Sequence, residues 1–213
     1  MVVIILLLRQ KVLEEEASNL DIHCEAAVTY KNIFRNTKLT SRFNGLTDVI
    51  LSGILENVNR QKDNLSAAAW LETLVEILEH VPLAAIKQSI LPVALSQAEP
   101  NQRVQRRVIA TRLIEKLCAV LPSFDIRKEL APCVQMLTHD QNANVRSSIA
   151  QRLGVIAQSL RNAADCGSLL LPCLVELCRD DEVGVREAIL NTVAVCLPHL
   201  SKGFVHCFGD WLF

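Results

Sequence analysis

Residues 130–149 read LAPCVQMLTHDQNANVRSSI, and residues 170–189 read LLPCLVELCRDDEVGVREAI. A proline recurs at Pro92, Pro132 and Pro172, at intervals of 40 residues. A second marker, Val-Gln or Val-Arg, follows each proline by 12 or 13 residues, at positions 104–105, 145–146 and 185–186. Two markers that share one period predict an internal repeat of about 40 residues, which is typical of arrays of similar structural units.

Each unit has the pattern of two helices joined by a polar turn. The first helix is predicted to begin near the proline, because proline is tolerated in a first helical turn. Apolar residues recur with helical spacing, as in Val145, Ile149, Leu153, Ile156 and Leu160 of the second helix of one unit. Such helix pairs bury one face on each other and another on the next pair. The sequence therefore predicts an all-α solenoid of antiparallel helix pairs.

The 40-residue period also predicts where the units lie. We expect a partial N-terminal repeat over residues 1–43, repeats over 44–82, 83–123, 124–163 and 164–200, and an uncapped tail over 201–213. Solenoids normally close with a polar capping repeat. The apolar tail therefore favours a fragment or truncated product of a longer array.

Composition excludes several classes of protein. Half of the residues are hydrophobic and the net charge is -1, so a disordered chain is excluded and no basic field exists for nucleic acid. The longest apolar run, Met1–Leu8, is too short to cross a membrane. The 8 cysteines form no C-x-x-C pair and lie mostly among apolar residues, as free thiols do in a reducing compartment. We expect a cytoplasmic protein that binds neither nucleic acid nor membrane.

Catalytic and metal-binding patterns are not found in the sequence. It has no P-loop, no G-x-G-x-x-G and no G-x-S-x-G. Cys196, His199, His206 and Cys207 have a metal-like composition, but their spacing matches no standard zinc finger. We therefore expect no catalytic residue, no cofactor and no metal, and the chain is predicted not to be an enzyme.

Two acid–base pairs recur with the repeat. Asp140 precedes Arg146 by six residues, and Asp180 precedes Arg186 by the same step. This resembles the signature of HEAT repeats, which implies that these four residues form a structural ladder along the stack. In the preceding unit the equivalent positions are taken as Glu99 and Gln105, so the ladder is expected to lose its cation there.

A longer resemblance covers roughly residues 22–198. It rests on residues 69–74 (AWLETL), 90–92 (ILP), 144–148 (NVRSS), 156–158 (IAQ) and 171–180 (LPCLVELCRD). These segments resemble HEAT-repeat regulatory subunits of protein phosphatase 4, which are themselves similar to the scaffold subunit of protein phosphatase 2A. The resemblance implies a non-catalytic subunit that binds a serine/threonine phosphatase catalytic subunit, among other proteins, and directs its location or substrates.

In HEAT scaffolds of this kind the turns between paired helices form a ridge that contacts partners. Carried over to this chain, the resemblance places on that ridge Glu99, Asn101, Arg103, His139, Asp140, Asn142, Asn144, Arg179, Asp180, Asp181 and Glu182. The polarity of these residues is equally explained by solvent exposure. The basic cluster of Arg103, Arg106, Arg107 and Arg112 is interpreted as an exposed helix face, with a patch for an acidic partner as the alternative, and Trp70 is interpreted as a core residue.

Two other functions fit the same repeat. One is a generic adaptor or transport-receptor-like scaffold that holds a different cargo on its concave face. The other is a truncated solenoid with no partner function, because exposed apolar ends favour aggregation.

Overall fold

The structure is a computed structural model that describes residues 11–13, 15–16, 19–43, 45–60 and 64–200. All regular elements within these residues are helical, and none of these helices is long and apolar enough to cross a bilayer. The chain divides into two compact units, Met1–Val93 and Ala94–Phe213. The sequence predictions made for Met1–Leu8 and for 201–213 lie outside the described residues.

From Leu20 onward, the described part of unit 1 forms the helices α1 (Leu20–Arg35), α2 (Thr37–Arg42), α3 (Leu46–Arg60) and α4 (Asn64–Ile77). Helices α1 and α3 both pack on α4. The Asn19 side chain caps α1 by accepting a hydrogen bond from the Ile22 amide at 3.4 Å. Ala26, Tyr30 and Phe34 are buried at four-residue spacing, so one face of α1 forms its core side.

The α1–α4 contact is built around Trp70, whose side chain is fully buried. The His23 ring meets it edge-on, with ring centroids 4.9 Å apart. His23 Nδ1 lies 3.0 Å from the hydroxyl of Thr73, and Lys31 pairs with Glu76 at 2.5 Å. The prediction that Trp70 is a core residue is confirmed.

The remaining helices in chain order are α5 (Leu83–Ala85), α6 (Leu91–Ala98), α7 (Val104–Val120), α8 (Ser123–Asp125), α9 (Ala131–Thr138), α10 (Ala143–Ala150), α11 (Leu153–Leu160), α12 (Ala163–Leu169), α13 (Leu171–Cys178) and α14 (Val183–Cys196). Short 3-10 turns lie at Leu78–His80 and Leu197–His199.

The three repeated prolines lie in the first turns of α6, α9 and α13. Helical residues precede each of them, however, because α5, α8 and α12 begin at 83, 123 and 163. The prediction that the helix begins near the proline was therefore only partly right. Proline has no N–H and its ring crowds the carbonyl four residues earlier, so the hydrogen-bond ladder is interrupted there. A π-helical turn precedes two of the prolines, at Ile86–Ile90 and Ile126–Leu130.

The helix pairs of unit 2 pack on their neighbours along the chain. Helix α9 packs on α10 and α13 packs on α14, while α10 lies between α7 and α14. The predicted stripe of Val145, Ile149, Leu153, Ile156 and Leu160 is buried. The all-α solenoid class predicted from the sequence is confirmed for the described residues.

Candidate functional site

Three polar turns of unit 2 recur with the repeat. Each of them joins the first helix of a pair to the second helix of the same pair. They cover residues 99–103, 139–142 and 179–182. The last two turns are tied to the second helix of the preceding pair by an arginine–aspartate contact, which we call a rung.

The first rung joins Arg146 of α10 to Asp180. The guanidinium donates two hydrogen bonds, from Nε to Oδ2 at 2.6 Å and from Nη2 to Oδ1 at 2.9 Å. Oδ1 of Asp180 also accepts the Glu182 amide at 3.0 Å. The two side chains are 17% and 7% exposed. These hydrogen bonds, chiefly that from Arg146, lower the pKa of the Asp180 carboxyl, so it is ionised and fixed in place.

The second rung joins Arg107 of α7 to Asp140 with the same geometry. Nε donates to Oδ2 at 2.5 Å and Nη2 to Oδ1 at 2.8 Å, and Oδ1 also accepts the Asn142 amide at 2.8 Å. The cation that was expected to be lost at Gln105 is therefore present two residues later. Arg107 and Arg146 are both the fourth residue of their helices, so an alignment from helix starts would have identified Arg107.

The position of Arg107 also corrects the interpretation of the basic cluster. Arg107 is 7% exposed and is not part of an exposed helix face. Its rung raises the pKa of the guanidinium. Arg106 donates to the Gln97 side chain at 3.3 Å, while Arg103 is exposed and precedes α7.

Within one repeat, the arginine side chain donates a hydrogen bond to the backbone carbonyl of the aspartate six residues before it. Arg146 Nη1 donates to the Asp140 carbonyl at 2.7 Å, and Arg186 Nη1 donates to the carbonyls of Asp180 at 2.5 Å and Asp181 at 2.9 Å. Arg107 Nη1 donates to the Pro100 carbonyl at 3.4 Å. Arg107 Nη1 also donates to the Gln102 carbonyl, and the residue six positions before Arg107 is Asn101, so no acidic residue stands at the spacing of Asp140 and Asp180.

The structure divides the predicted ridge residues into two groups. The side chains of Asp140 and Asp180 are only 6% and 7% exposed and are held in rungs, and Asn142 caps α10 by accepting a hydrogen bond from the Asn144 amide at 3.0 Å. Asn144 lies in the first turn of α10 and not in a loop. The exposed members are Glu99, Asn101, Arg103, His139, Asn144, Arg179, Asp181 and Glu182.

A groove of about 920 Å³ lies between the last two turns, and we call it the turn groove. Its apolar lining comes from Leu171, Pro172 and Val175 of α13. Glu176 Oε2 lies 3.6 Å from His139 Nε2, and both side chains are more than half exposed. The other lining residues are Thr138, Asp140, Gln141, Arg146, Arg179, Asp180 and Asp181. The ridge prediction did not include the α13 residues, because their pattern is that of an ordinary amphipathic helix.

Most of the described cysteines are shielded from solvent. Five of them are buried, and burial raises the pKa of the Cys133 thiol to about 11 and that of Cys196 to about 12. These thiols are protonated at neutral pH, and a protonated thiol is a poor nucleophile and metal ligand. No cluster of potential metal ligands is found among the described residues.

Comparison with models of known protein families gives no match. The chain is similar to serine/threonine-protein phosphatase 4 regulatory subunit 4 of Homo sapiens, with 29% identity over 176 residues. It is similar to the protein of the same name from Mus musculus, with 28% identity over 176 residues. Each alignment covers 83% of this chain and 20% of the relative, so the chain spans about a fifth of the length of the curated relatives it matches.

Proposed function

We propose that this chain acts as a non-catalytic regulatory scaffold that binds the catalytic subunit of a serine/threonine protein phosphatase and directs its location or substrates. The observation that supports this is the similarity over 176 residues to two regulatory subunits of protein phosphatase 4. The scaffold works in the cytoplasm, which is consistent with the buried, protonated thiols of unit 2.

The binding surface in this proposal is the exposed part of the ridge. The rungs fix the positions of the turns, because each holds a turn to the preceding pair through two charge-assisted hydrogen bonds. A partner therefore meets side chains on a rigid frame, which lowers the entropy lost on binding. Asp181 and Glu182 are the exposed acidic residues of the last turn, next to the rung residue Asp180.

The test measures binding of the purified, helical chain to the purified catalytic subunit of protein phosphatase 4 by surface plasmon resonance. The variant Asp181→Lys/Glu182→Lys reverses two exposed charges, and we expect it to weaken binding by about tenfold or more. The control is Glu25→Lys/Glu187→Lys, which makes the same change in net charge at two exposed residues outside the ridge and should leave binding unaltered.

Failure of the folded chain to bind the catalytic subunit would contradict the proposal and favour the generic adaptor. Equal losses in the ridge variant and the control would show that binding depends on net charge and not on the ridge. Circular dichroism of each variant separates lost binding from lost structure.

A further inference from the structure

The turn groove has a chemistry that the repeat itself does not require. The residues 40 positions before its apolar and acidic members are Ala131, Pro132, Gln135, Met136 and Gln141. The proline is shared by both repeats, whereas Val175, Glu176 and Asp181 replace neutral polar or sulfur side chains. Because both repeats have the same helices and the same rung, the helix pair and its rung form without these three residue types in the preceding repeat.

The charges of the groove are of two kinds. The carboxylates of Asp140 and Asp180 each accept hydrogen bonds from a guanidinium and from a backbone N–H, so most of their charge is balanced within the protein. Glu176 and Asp181 are exposed, and Glu182 lies beside them. Arg179 is the exposed cation of the lining. The accessible charge of this site is therefore mainly negative.

The apolar surface lies next to those carboxylates. Cys173, Leu174 and Leu177 form the buried face of α13, so Pro172 and Glu176 lie on its exposed side with Leu171 and Val175 at the margin. Pro172, Val175, Glu176 and Asp181 all line the turn groove, so a side chain that covers Val175 and Pro172 brings its chain neighbours into the groove that holds both carboxylates. This juxtaposition selects an aliphatic side chain that is adjacent to a lysine or arginine.

We infer that the turn groove binds a surface segment of the phosphatase catalytic subunit in which an aliphatic side chain stands beside a basic one. The inference rests on the proposed function and specifies the chemistry of one contact on the ridge. The aliphatic side chain packs on Pro172 and Val175, and the basic group lies between Glu176 and Asp181. Charge complementarity selects this basic segment over an acidic or purely apolar one.

The experiment uses the full chain and the purified catalytic subunit of protein phosphatase 4. Glu176→Gln/Asp181→Asn removes the two carboxylates with little change in shape, and we expect about threefold to tenfold weaker binding with a flatter dependence on salt. Val175→Ser removes apolar surface and should weaken binding about threefold without changing the salt dependence. The matched control, Glu25→Gln/Glu187→Gln, removes two exposed carboxylates elsewhere.

A photocrosslinker identifies the bound segment directly. A benzophenone side chain at position 172 should crosslink a segment of the catalytic subunit in which Lys or Arg is next to Leu, Ile or Val. Crosslinking to an acidic segment, or full binding by Glu176→Gln/Asp181→Asn, would overturn the inference and leave the proposed function standing. Absence of binding by the unaltered chain would contradict both.

Discussion

The two units hold their helices together by different means. In unit 2 the turns are joined to the preceding pair by the Arg107–Asp140 and Arg146–Asp180 rungs, which use the same two residue types in successive repeats. In unit 1 the α1–α4 contact is centred on Trp70, with His23 against its ring. The rungs recur in successive repeats, so their residues appear as a period in the sequence. The contact around Trp70 is formed by residues that do not recur, so it contributes no period. This difference explains why the repeat signal is clear after Pro92 and faint before it.

The largest effect on stability is expected from removing the Trp70 side chain at the α1–α4 contact. Trp70→Ala should lower the free energy of unfolding by about 3–5 kcal/mol, because a fully buried indole leaves a cavity between α1 and α4. The measurement is urea unfolding followed by circular dichroism. Leu190→Ala, at a side chain that is 64% exposed, is the control and should change stability by about 0.5 kcal/mol or less. Equal losses in the two variants would mean that Trp70 is not the centre of the α1–α4 contact.

Breaking a rung should have the next largest effect. Arg146→Met keeps the aliphatic volume but leaves the buried Asp180 carboxylate unpaired, so we expect a loss of about 2–4 kcal/mol. Arg127→Met is the matched control, because the Arg127–Asp165 pair is also formed between repeats but Arg127 is 43% exposed. Its loss should be about 1 kcal/mol or less. A second change, Asp180→Asn, should recover part of the Arg146→Met loss.

The Arg146–Asp180 rung should also make the free energy of unfolding depend on pH. This dependence should be no larger than the loss expected for Arg146→Met. Arg146 lowers the pKa of Asp180 in the folded state, so the carboxylate contribution is complete above the unfolded pKa of about 3.9. It is lost as the pH falls through the lower, folded pKa. As the pH falls from the unfolded pKa to the folded pKa of Asp180, the unfolding free energy of the wild type should therefore decrease more steeply than that of Asp180→Asn. Parallel pH profiles for the two proteins would contradict the assigned role of Asp180.

The helix contact at Gly154 allows a comparison within unit 2. A Cβ at Gly154 would lie 2.9 Å from Val195 Cγ1 and 3.1 Å from its Cβ, whereas a Cβ at Gly184 meets nothing within 4 Å. Gly154→Ala should therefore cost about 1 kcal/mol net, since overpacking exceeds the gain in helix propensity. Gly184→Ala should gain about 0.5–1 kcal/mol. Val195→Ala in the Gly154→Ala background should restore stability, which thermal unfolding would show.

The smallest effect is expected at the end of α11. Arg161 has a φ of 54°, a left-handed conformation that glycine adopts without strain. Arg161→Gly should raise the unfolding free energy by about 0.5 kcal/mol. Gln151→Gly, at an exposed residue with a right-handed backbone, should lower it by a similar amount. A loss in both variants would mean that the Arg161 side chain stabilises the protein through contacts.

Much of the architecture could be predicted because it depends on period and polarity. The helical spacing of Val145, Ile149 and Leu153 indicates a buried stripe, and the structure has one. The sequence does not predict the residue that completes the earlier rung, because the valine marker aligns Val104 with Val145 and so places Gln105 at the position of Arg146. The period is not constant near the turns, since α7 starts 39 residues before α10 and α10 starts 40 before α14.

The candidate site could be predicted less completely than the fold. The polar turns indicate where exposed residues lie, but polarity does not separate Asp180, which is held by Arg146, from Asp181, which is exposed. That distinction depends on the position of a guanidinium 34 residues away in the chain. The apolar wall of the turn groove comes from the outer side of α13, and a single sequence shows no reason for Val175 to be there.

The rungs also govern how such an array can change its length during evolution. Each rung connects one repeat to the next, and Asp140 stands 33 residues after Arg107. Loss of the 40-residue segment 123–162 would leave Asp180 at the same separation from Arg107, so a new rung would form across the junction. Loss of 36 or 44 residues would misplace the carboxylate by a helical turn and leave a buried charge unpaired. A gene that encodes this array can therefore gain or lose whole periods and keep its rungs, with a tolerance of about one residue, since the two rungs span 33 and 34 residues.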